Sequence, residues 1–242
     1  MTIIKLDAID STNDYLKQLS KEKVLENYTI VMAKEQTNGK GQMGAKWISE
    51  PGKNLIMSVL VKDLPLDMIS IFDLNAAVAI AAINTLSMSY YPSGKIKWPN
   101  DIMAENKKVG GILVENMFKP NGTFTSVVGF GLNLNQTNFE NLPNASSMIT
   151  VTGKEWNLEE TATLFVKMLK TQMMLLPEKT KAVWTDYNSF LYKRNKAVAF
   201  EGKDGKRFMA IVKKVTNDGK LALLQNDDKI HHYEVKEIKT LL

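Results

Sequence analysis

Residues 95–134 read KIKWPNDIMAENKKVGGILVENMFKPNGTFTSVVGFGLNL. Three β-type stretches stand in this run, Lys95–Trp98, Ile112–Glu115 and Phe124–Leu134, joined by turns rich in Gly, Pro and Asn. Strands that follow one another without a strict βαβ rhythm indicate an α+β domain rather than a doubly wound sheet.

The flanks extend that reading. Upstream, Ile3–Leu6 reads as a short strand, and Asp10-Ser11-Thr12-Asn13 offers capping oxygens to a helix with Tyr15, Leu16 and Leu19 on one side. Tyr28–Ala33 and Asn54–Val61 are further strands, the second with Leu55, Met57, Val59 and Val61 in alternation. Ile69–Leu86 is Ala-rich, free of Gly and Pro, and predicted to be a buried helix. Downstream, Leu158, Ala162, Phe165, Val166 and Leu169 keep helical spacing, with Pro177 placed beyond that helix and a second helix carrying Val183, Trp184 and Tyr187. Near Arg194 the character changes. Apolar β stretches alternate with Gly202, Gly205, Asn217-Asp218-Gly219 and Asn226-Asp227-Asp228, which predicts four or five short strands in a small β-barrel. The expected division is a larger α+β domain over 1–193 and a barrel over 194–242.

Composition narrows the chemistry. The 242 residues include no cysteine, which excludes a disulfide scaffold, a thiolate nucleophile and a Cys-ligated zinc site. The two histidines, His231 and His232, are adjacent, so a multi-histidine metal centre built from separate elements is excluded as well. The longest apolar run, Ala76–Ile83, falls well short of the roughly 20 residues of a membrane helix. The N-terminus lacks the pattern of a signal peptide, so a soluble cytoplasmic protein is expected. The net charge of +5, from 31 Lys+Arg and 26 Asp+Glu, is spread along the chain without a dense basic run interleaved with aromatics.

Four segments are poorly explained by packing alone. Gly39-Lys40-Gly41-Gln42-Met43-Gly44-Ala45-Lys46-Trp47 is a glycine-rich loop whose backbone N–H groups and Lys40 suit a phosphate, although it fits neither the P-loop nor the dinucleotide fingerprint. Lys97-Trp98-Pro99-Asn100-Asp101 ends a strand with two polar side chains aimed by a proline. Lys107-Lys108-Val109-Gly110-Gly111 runs into Ile112-Leu113-Val114-Glu115, where the glycines allow close approach of a backbone or a ligand. Gly129-Phe130-Gly131-Leu132-Asn133 places two glycines within a strand. Taken singly, a surface loop, a turn, a hairpin and a bulge explain these as well.

Together and in this order, the four segments and Asp10-Ser11-Thr12-Asn13 resemble the biotin–protein ligases, over essentially the whole chain. The resemblance implies a mixed-sheet catalytic domain of the biotin/lipoate ligase type followed by an SH3-like barrel. It implies two steps: biotin attacks ATP to give biotinyl-5′-adenylate and pyrophosphate, and a lysine of a biotin carrier domain then displaces AMP. Fixed lysines and backbone donors are the catalysts such anionic steps need. The resemblance assigns Ser11, Thr12, Asn13 and Gln36 to the ureido end of biotin. Gly39, Lys40, Gly41 and Gln42 would close over biotin and the phosphates, and Gly111, Ile112, Leu113, Gly129 and Gly131 would wall the pocket. Lys108 would contact the biotin carboxylate and the α-phosphate, with Lys40 and Asp101 as further catalytic candidates. Trp47, Asn133 and Arg194 would attend the nucleotide. Magnesium is expected with ATP, without a dedicated protein site. The implied partner is the carrier domain of a biotin-dependent carboxylase, with no DNA or membrane partner, for a monomer or homodimer.

Two departures from the family stand out. Its loop commonly reads Gly-Arg-Gly-Arg-Arg-Gly, whereas Gln42 and Met43 replace arginines here. The chain also begins almost at the first catalytic strand, so a ligase without a helix-turn-helix repressor domain is expected. The rival readings are a lipoyl or octanoyl ligase of the related family, and a non-enzymatic binding module built on the basic barrel, whose net charge is +3 from Asn195 onward.

Overall fold

The structure, a computed structural model, describes residues 2–140 and 142–241. Its frame is a seven-stranded mixed sheet in the order β1-β2-β3-β7-β6-β5-β4. The strands are β1 (Ile3–Ile9), β2 (Ile30–Gln36), β3 (Leu55–Pro65), β4 (Lys95–Lys97), β5 (Asp101–Ala104), β6 (Lys107–Phe118) and β7 (Thr123–Leu132). β1 and β2 are parallel and joined through helix α1 (Thr12–Glu22), and the other pairings in this sheet are antiparallel.

Alternation along the strands gives the sheet two faces. Ile30, Met32, Leu55, Met57, Val59, Phe130 and Leu132 point into the main core with α2 (Ile71–Met88) and α4 (Leu158–Ser189). Val31, Leu60 and Val127 point the other way and pack against Leu16 of α1. α2 opens on a capping box, with the Ser70 side chain accepting from Asp73 N while Asp73 accepts from Ser70 N. Its 18 residues are apolar on nearly every side, as befits a helix lying between a sheet and another helix. By length and composition it could cross a membrane, yet 67% of it is buried within this core. Phe130 and Phe165 stack with centroids 4.4 Å apart and tie β7 to α4.

The expected pair of helices around Pro177 is one element with a break. α4 runs from Leu158 to Ser189, and Pro177 lies inside it. Proline lacks the N–H that would bond the carbonyl four residues earlier, and the backbone leaves helical geometry two residues on, at Lys179. The helix resumes because Val183, Trp184 and Tyr187 still face the core.

Five further strands, β8 (Ala197–Gly202), β9 (Arg207–Val215), β10 (Leu221–Leu224), β11 (Ile230–Tyr233) and β12 (Ile238–Leu241), form an antiparallel sheet ordered β11-β10-β9-β8-β12. This small SH3-like unit completes the α+β architecture. It is fastened to α4 and to the β4–β5 connection by polar bonds, as well as by a shared core. Trp98 Nε1 donates to the Gly219 carbonyl at 2.9 Å, and Asn188 exchanges hydrogen bonds with the backbone of Val215.

Candidate active site

On the α1 side of the sheet lies a cavity of about 540 Å³. Its floor follows from register. Gly131 stands opposite Gly111, and Gly129 lies between Ser58 on β3 and Leu113 on β6. Three glycines on two neighbouring strands leave a strip of bare backbone, while Phe130 between two of them turns into the core.

At one end, the N-terminus of α1 brings Ser11, Thr12 and Asn13 over this strip, all three buried. Ser11 caps the helix, its hydroxyl accepting from Asp14 N. Both the Thr12 N–H and its hydroxyl donate to Gln36 Oε1, at 2.8 and 2.9 Å. That leaves the Nε2 donors of Gln36 for another partner. Asn13 is set with the opposite polarity, its Nδ2 donating to Glu115 Oε2 at 2.9 Å and to the Leu113 carbonyl. Its Oδ1 accepts from the fully buried Ser58 hydroxyl at 2.6 Å. A Cβ at position 129 would stand 2.5 Å from Asn13 Oδ1, so only glycine fits there.

At the other end, Lys108 Nζ lies 2.6 Å from Asp101 Oδ1, and Lys97 Nζ approaches the second oxygen at 3.6 Å. Asp101 follows a cis Trp98–Pro99 peptide. Asn100 is held by mutual hydrogen bonds with the backbone of Ile112.

The glycine-rich segment is a small hairpin over the cavity. Trp47 N donates to Gly39 O, Gly41 N donates to Ala45 O, and the tip turns through Met43 and Gly44 at positive φ. Lys40 is clasped to Asp14 at 2.5 Å. Burial raises the Asp14 carboxyl, but Lys40 and Lys17 outweigh that and hold it below its ordinary value. The Trp47 indole lies on the glycine strip, 2.7 Å from where a Gly131 Cβ would stand, with Lys108 Nζ 5.9 Å from its ring. Its Nε1 is buried without a partner.

Ser11, Thr12, Asn13, Gln36, Lys40, Gly41, Gln42, Trp47, Asp101, Lys108, Gly111, Ile112, Leu113, Gly129 and Gly131 thus share one cavity. Gly39 stands just behind it, against Gln36 and Trp47. Two expected nucleotide residues are not brought in. Asn133 is buried, its Nδ2 donating to the Ser146 carbonyl, so it fastens β7 to the segment entering helix α3 (Met148–Thr152). Arg194 is exposed in the turn leading into β8, between Lys193 and Asn195 at positive φ, and is not in the cavity wall.

Sequence reading missed Ser58, Glu115's bond to Asn13, and Val235 and Lys236, which the barrel contributes to the rim. For Ser58 a signal existed. The alternation of Leu55, Met57 and Val59 turns a serine to the opposite face of a buried strand. A second cavity of about 750 Å³ continues from Asp101 and Lys108 between the sheet and the barrel, past Lys203 and Lys239. Among the described residues, no three His, Cys, Asp or Glu side chains gather as a metal site.

A mixed sheet with a glycine-floored cavity, amides at one end and a lysine at the other, flanked by an SH3-like barrel, defines an α+β protein of the ligase fold. Residues 6–133 match the Biotin/lipoate A/B protein ligase family, and the chain belongs to it. It is 34% identical over 135 residues to the bifunctional ligase/repressor BirA of Bacillus spizizenii, a match covering 55% of this chain and 41% of that protein. The chain therefore spans about two fifths of the length of the Bacillus protein it matches. Against BirA of Escherichia coli K12, identity is 26% over 231 residues, 93% of this chain and 70% of that one. The fold is that of the biotin protein ligase from Aquifex aeolicus in complex with biotin and ATP, with TM-score 0.80, 24% identity and coverage of 99% and 98%.

Proposed function

We propose that this chain is a biotin–protein ligase with its catalytic unit in 1–193 and a barrel in 194–242. In the first step a biotin carboxylate oxygen attacks the α-phosphorus of ATP. The bond to the β-phosphate breaks, and pyrophosphate leaves biotinyl-5′-adenylate. In the second, the ε-amine of a lysine on the biotin carrier domain of a carboxylase attacks the acyl carbon. The acyl C–O bond breaks, AMP departs, and the amine loses a proton.

The observation that carries the reading is the hydrogen-bond polarity at the α1 end. Gln36 has spent its oxygen on Thr12 and retains its donors, while Asn13 has spent its donors and retains oxygen capacity. A donor beside an acceptor is the complement of a urea, which offers a carbonyl oxygen and N–H groups. The dithiolane ring of lipoate offers neither, and would leave these groups unpaired at a cost of about 1–3 kcal/mol for each one.

The other end suits the reacting groups. Lys108 supplies positive charge where carboxylate and phosphate meet, Lys40 adds charge from the hairpin, and the unpartnered Trp47 N–H asks for an acceptor such as a ligand oxygen. The Trp47 ring is the aromatic surface available to the nucleotide base. Asp101, already bonded to Lys108, is the group beside the incoming amine. As this carboxylate lies between two lysines, a magnesium ion accompanying ATP would be held mainly by phosphate oxygens and water. The cavity between sheet and barrel reaches Lys108 and Asp101 and gives the carrier a route to the adenylate.

Exchange of labelled pyrophosphate into ATP tests the reading. Biotin-dependent exchange that is lost in Lys108→Ala, followed by biotinylation of a carrier domain, is expected. Exchange with lipoate alone would reassign the chain within its family. No exchange and no carrier labelling would leave a binding module and sink the proposal.

A further inference from the structure

We infer that Glu115 is a positioning residue that sets acid specificity by fixing the polarity of the Asn13 amide, and that Lys17 acts through it. The inference rests on the biotin reading for its substrate and on the geometry for its cause. An asparagine amide has nearly the same shape in either orientation, so its neighbours decide which end faces the ligand. Glu115 Oε2, 2.9 Å from Asn13 Nδ2, is a carboxylate and can only accept. Turned over, the amide would set its oxygen against Glu115 Oε2 and the Leu113 carbonyl, three acceptors together, with both N–H groups facing the cavity. The charge at 115 therefore keeps oxygen toward Ser58 and the cavity.

Lys17 holds that charge in place. Its Nζ lies 2.5 Å from Glu115 Oε1 and 3.5 Å from Asp14, with both members of the Lys17–Glu115 pair about three-quarters buried. The chain Lys40–Asp14–Lys17–Glu115 thus alternates in sign from the hairpin to the amide. Ser58 alone cannot fix Asn13, because a hydroxyl accepts as readily as it donates. Ser58 has one proton shared between Asn13 Oδ1 and Thr12 Oγ1, so Asn13 Oδ1 keeps capacity for a ligand N–H.

The test uses Glu115→Gln, whose amide can donate or accept, and Lys17→Met. In pyrophosphate exchange, Glu115→Gln is expected to raise KM for biotin about tenfold with kcat within twofold, the size of one lost ligand hydrogen bond. Lys17→Met raises KM by less and adds nothing in the Glu115→Gln background, because it acts through Glu115. In the protein without substrate, the side-chain amide protons of Asn13, followed by NMR, should exchange with water at least tenfold faster in Glu115→Gln. An unchanged KM, an additive double variant, or kcat falling in step with the melting temperature would overturn the inference. If wild type shows no exchange with biotin, the ligase reading fails, and the Asn13 amide measurement alone decides whether Glu115 positions it.

Discussion

Lys108 Nζ and Asp101 Oδ1 stand 2.6 Å apart on neighbouring strands, Lys108 pairing with Met103 and Asp101 with Gly111 across a register shift. That irregularity lets two residues that are not directly paired meet at the cavity mouth. On the proposed function, the pair would divide the work between the two steps. Lys108→Ala removes the charge facing carboxylate and phosphate and should lower pyrophosphate exchange at least 100-fold, the usual cost of deleting one transition-state donor. Asp101→Asn leaves that charge in place. It should reduce exchange by less than tenfold and transfer to the carrier by more, as read in single-turnover experiments. Equal losses in both steps would show that Asp101 serves only to hold Lys108.

Gln42 begins the turn at the hairpin tip and lines the cavity. An arginine there could make a charge-assisted, bidentate contact to the adenylate that a neutral amide cannot. Gln42→Arg should slow adenylate release about tenfold, measured by rapid dilution of the loaded protein. Release at an unchanged or faster rate would refute it.

How much of this could be read in advance depends on how local each signal is. The strands of the main sheet are legible where β-branched and apolar residues alternate, as in β3, and the barrel is legible from its closely spaced turns. β5 escapes because Asn100-Asp101 reads as a turn. It becomes a strand because its backbone lies between those of β4 and β6. The same holds in the site. Ser11–Asn13, Lys108–Gly111 and Gly129–Gly131 announce themselves because each sits in a contiguous motif. Glu115 reads only as a strand residue until Asn13, 102 positions away, is brought beside it. Lys236 has no local signal at all, since its place on the rim depends on how the barrel docks. Asn133 is grouped with the nucleotide residues by its neighbours in sequence, and in the fold its Nδ2 donates to the Ser146 carbonyl.

The Lys40–Asp14 clasp should govern how firmly the hairpin is closed. Asp14→Asn should expose the bonds after Lys40 and Lys46, so that trypsin nicks residues 39–47 several-fold faster at pH 8. Asp14 sits below its usual value of 3.8 in the folded protein. A depressed carboxyl contributes fully above the unfolded value and loses its contribution as pH falls through the folded one. Hydrogen exchange at the hairpin amides, corrected for intrinsic rates, should therefore show a constant difference between wild type and variant from pH 5 to 8, shrinking only below about pH 4. A difference that faded between pH 5 and 7 would point to another titrating group.

The docking of the barrel reaches the site through Gly219. This residue adopts φ +81°, its carbonyl accepts from Trp98 Nε1, and a Cβ on it would collide with the Phe72 ring. Trp98 lies three residues before Asp101, so whatever shifts the indole also shifts the strand carrying the cavity-mouth carboxylate. Gly219→Ala combines left-handed strain with that collision, and a loss of about 2 kcal/mol is expected. For a domain of this size that corresponds to a drop of roughly 4–8 °C in Tm. Pyrophosphate exchange should fall at temperatures well below the melt, because the collision acts on Phe72 and Trp98 in the folded protein. Gly205→Ala is the control, since it shares the positive φ but meets no atom within 4 Å. It should cost stability and leave exchange intact at 25 °C. Equal exchange in the two variants would mean that the barrel contributes stability and does not position Asp101.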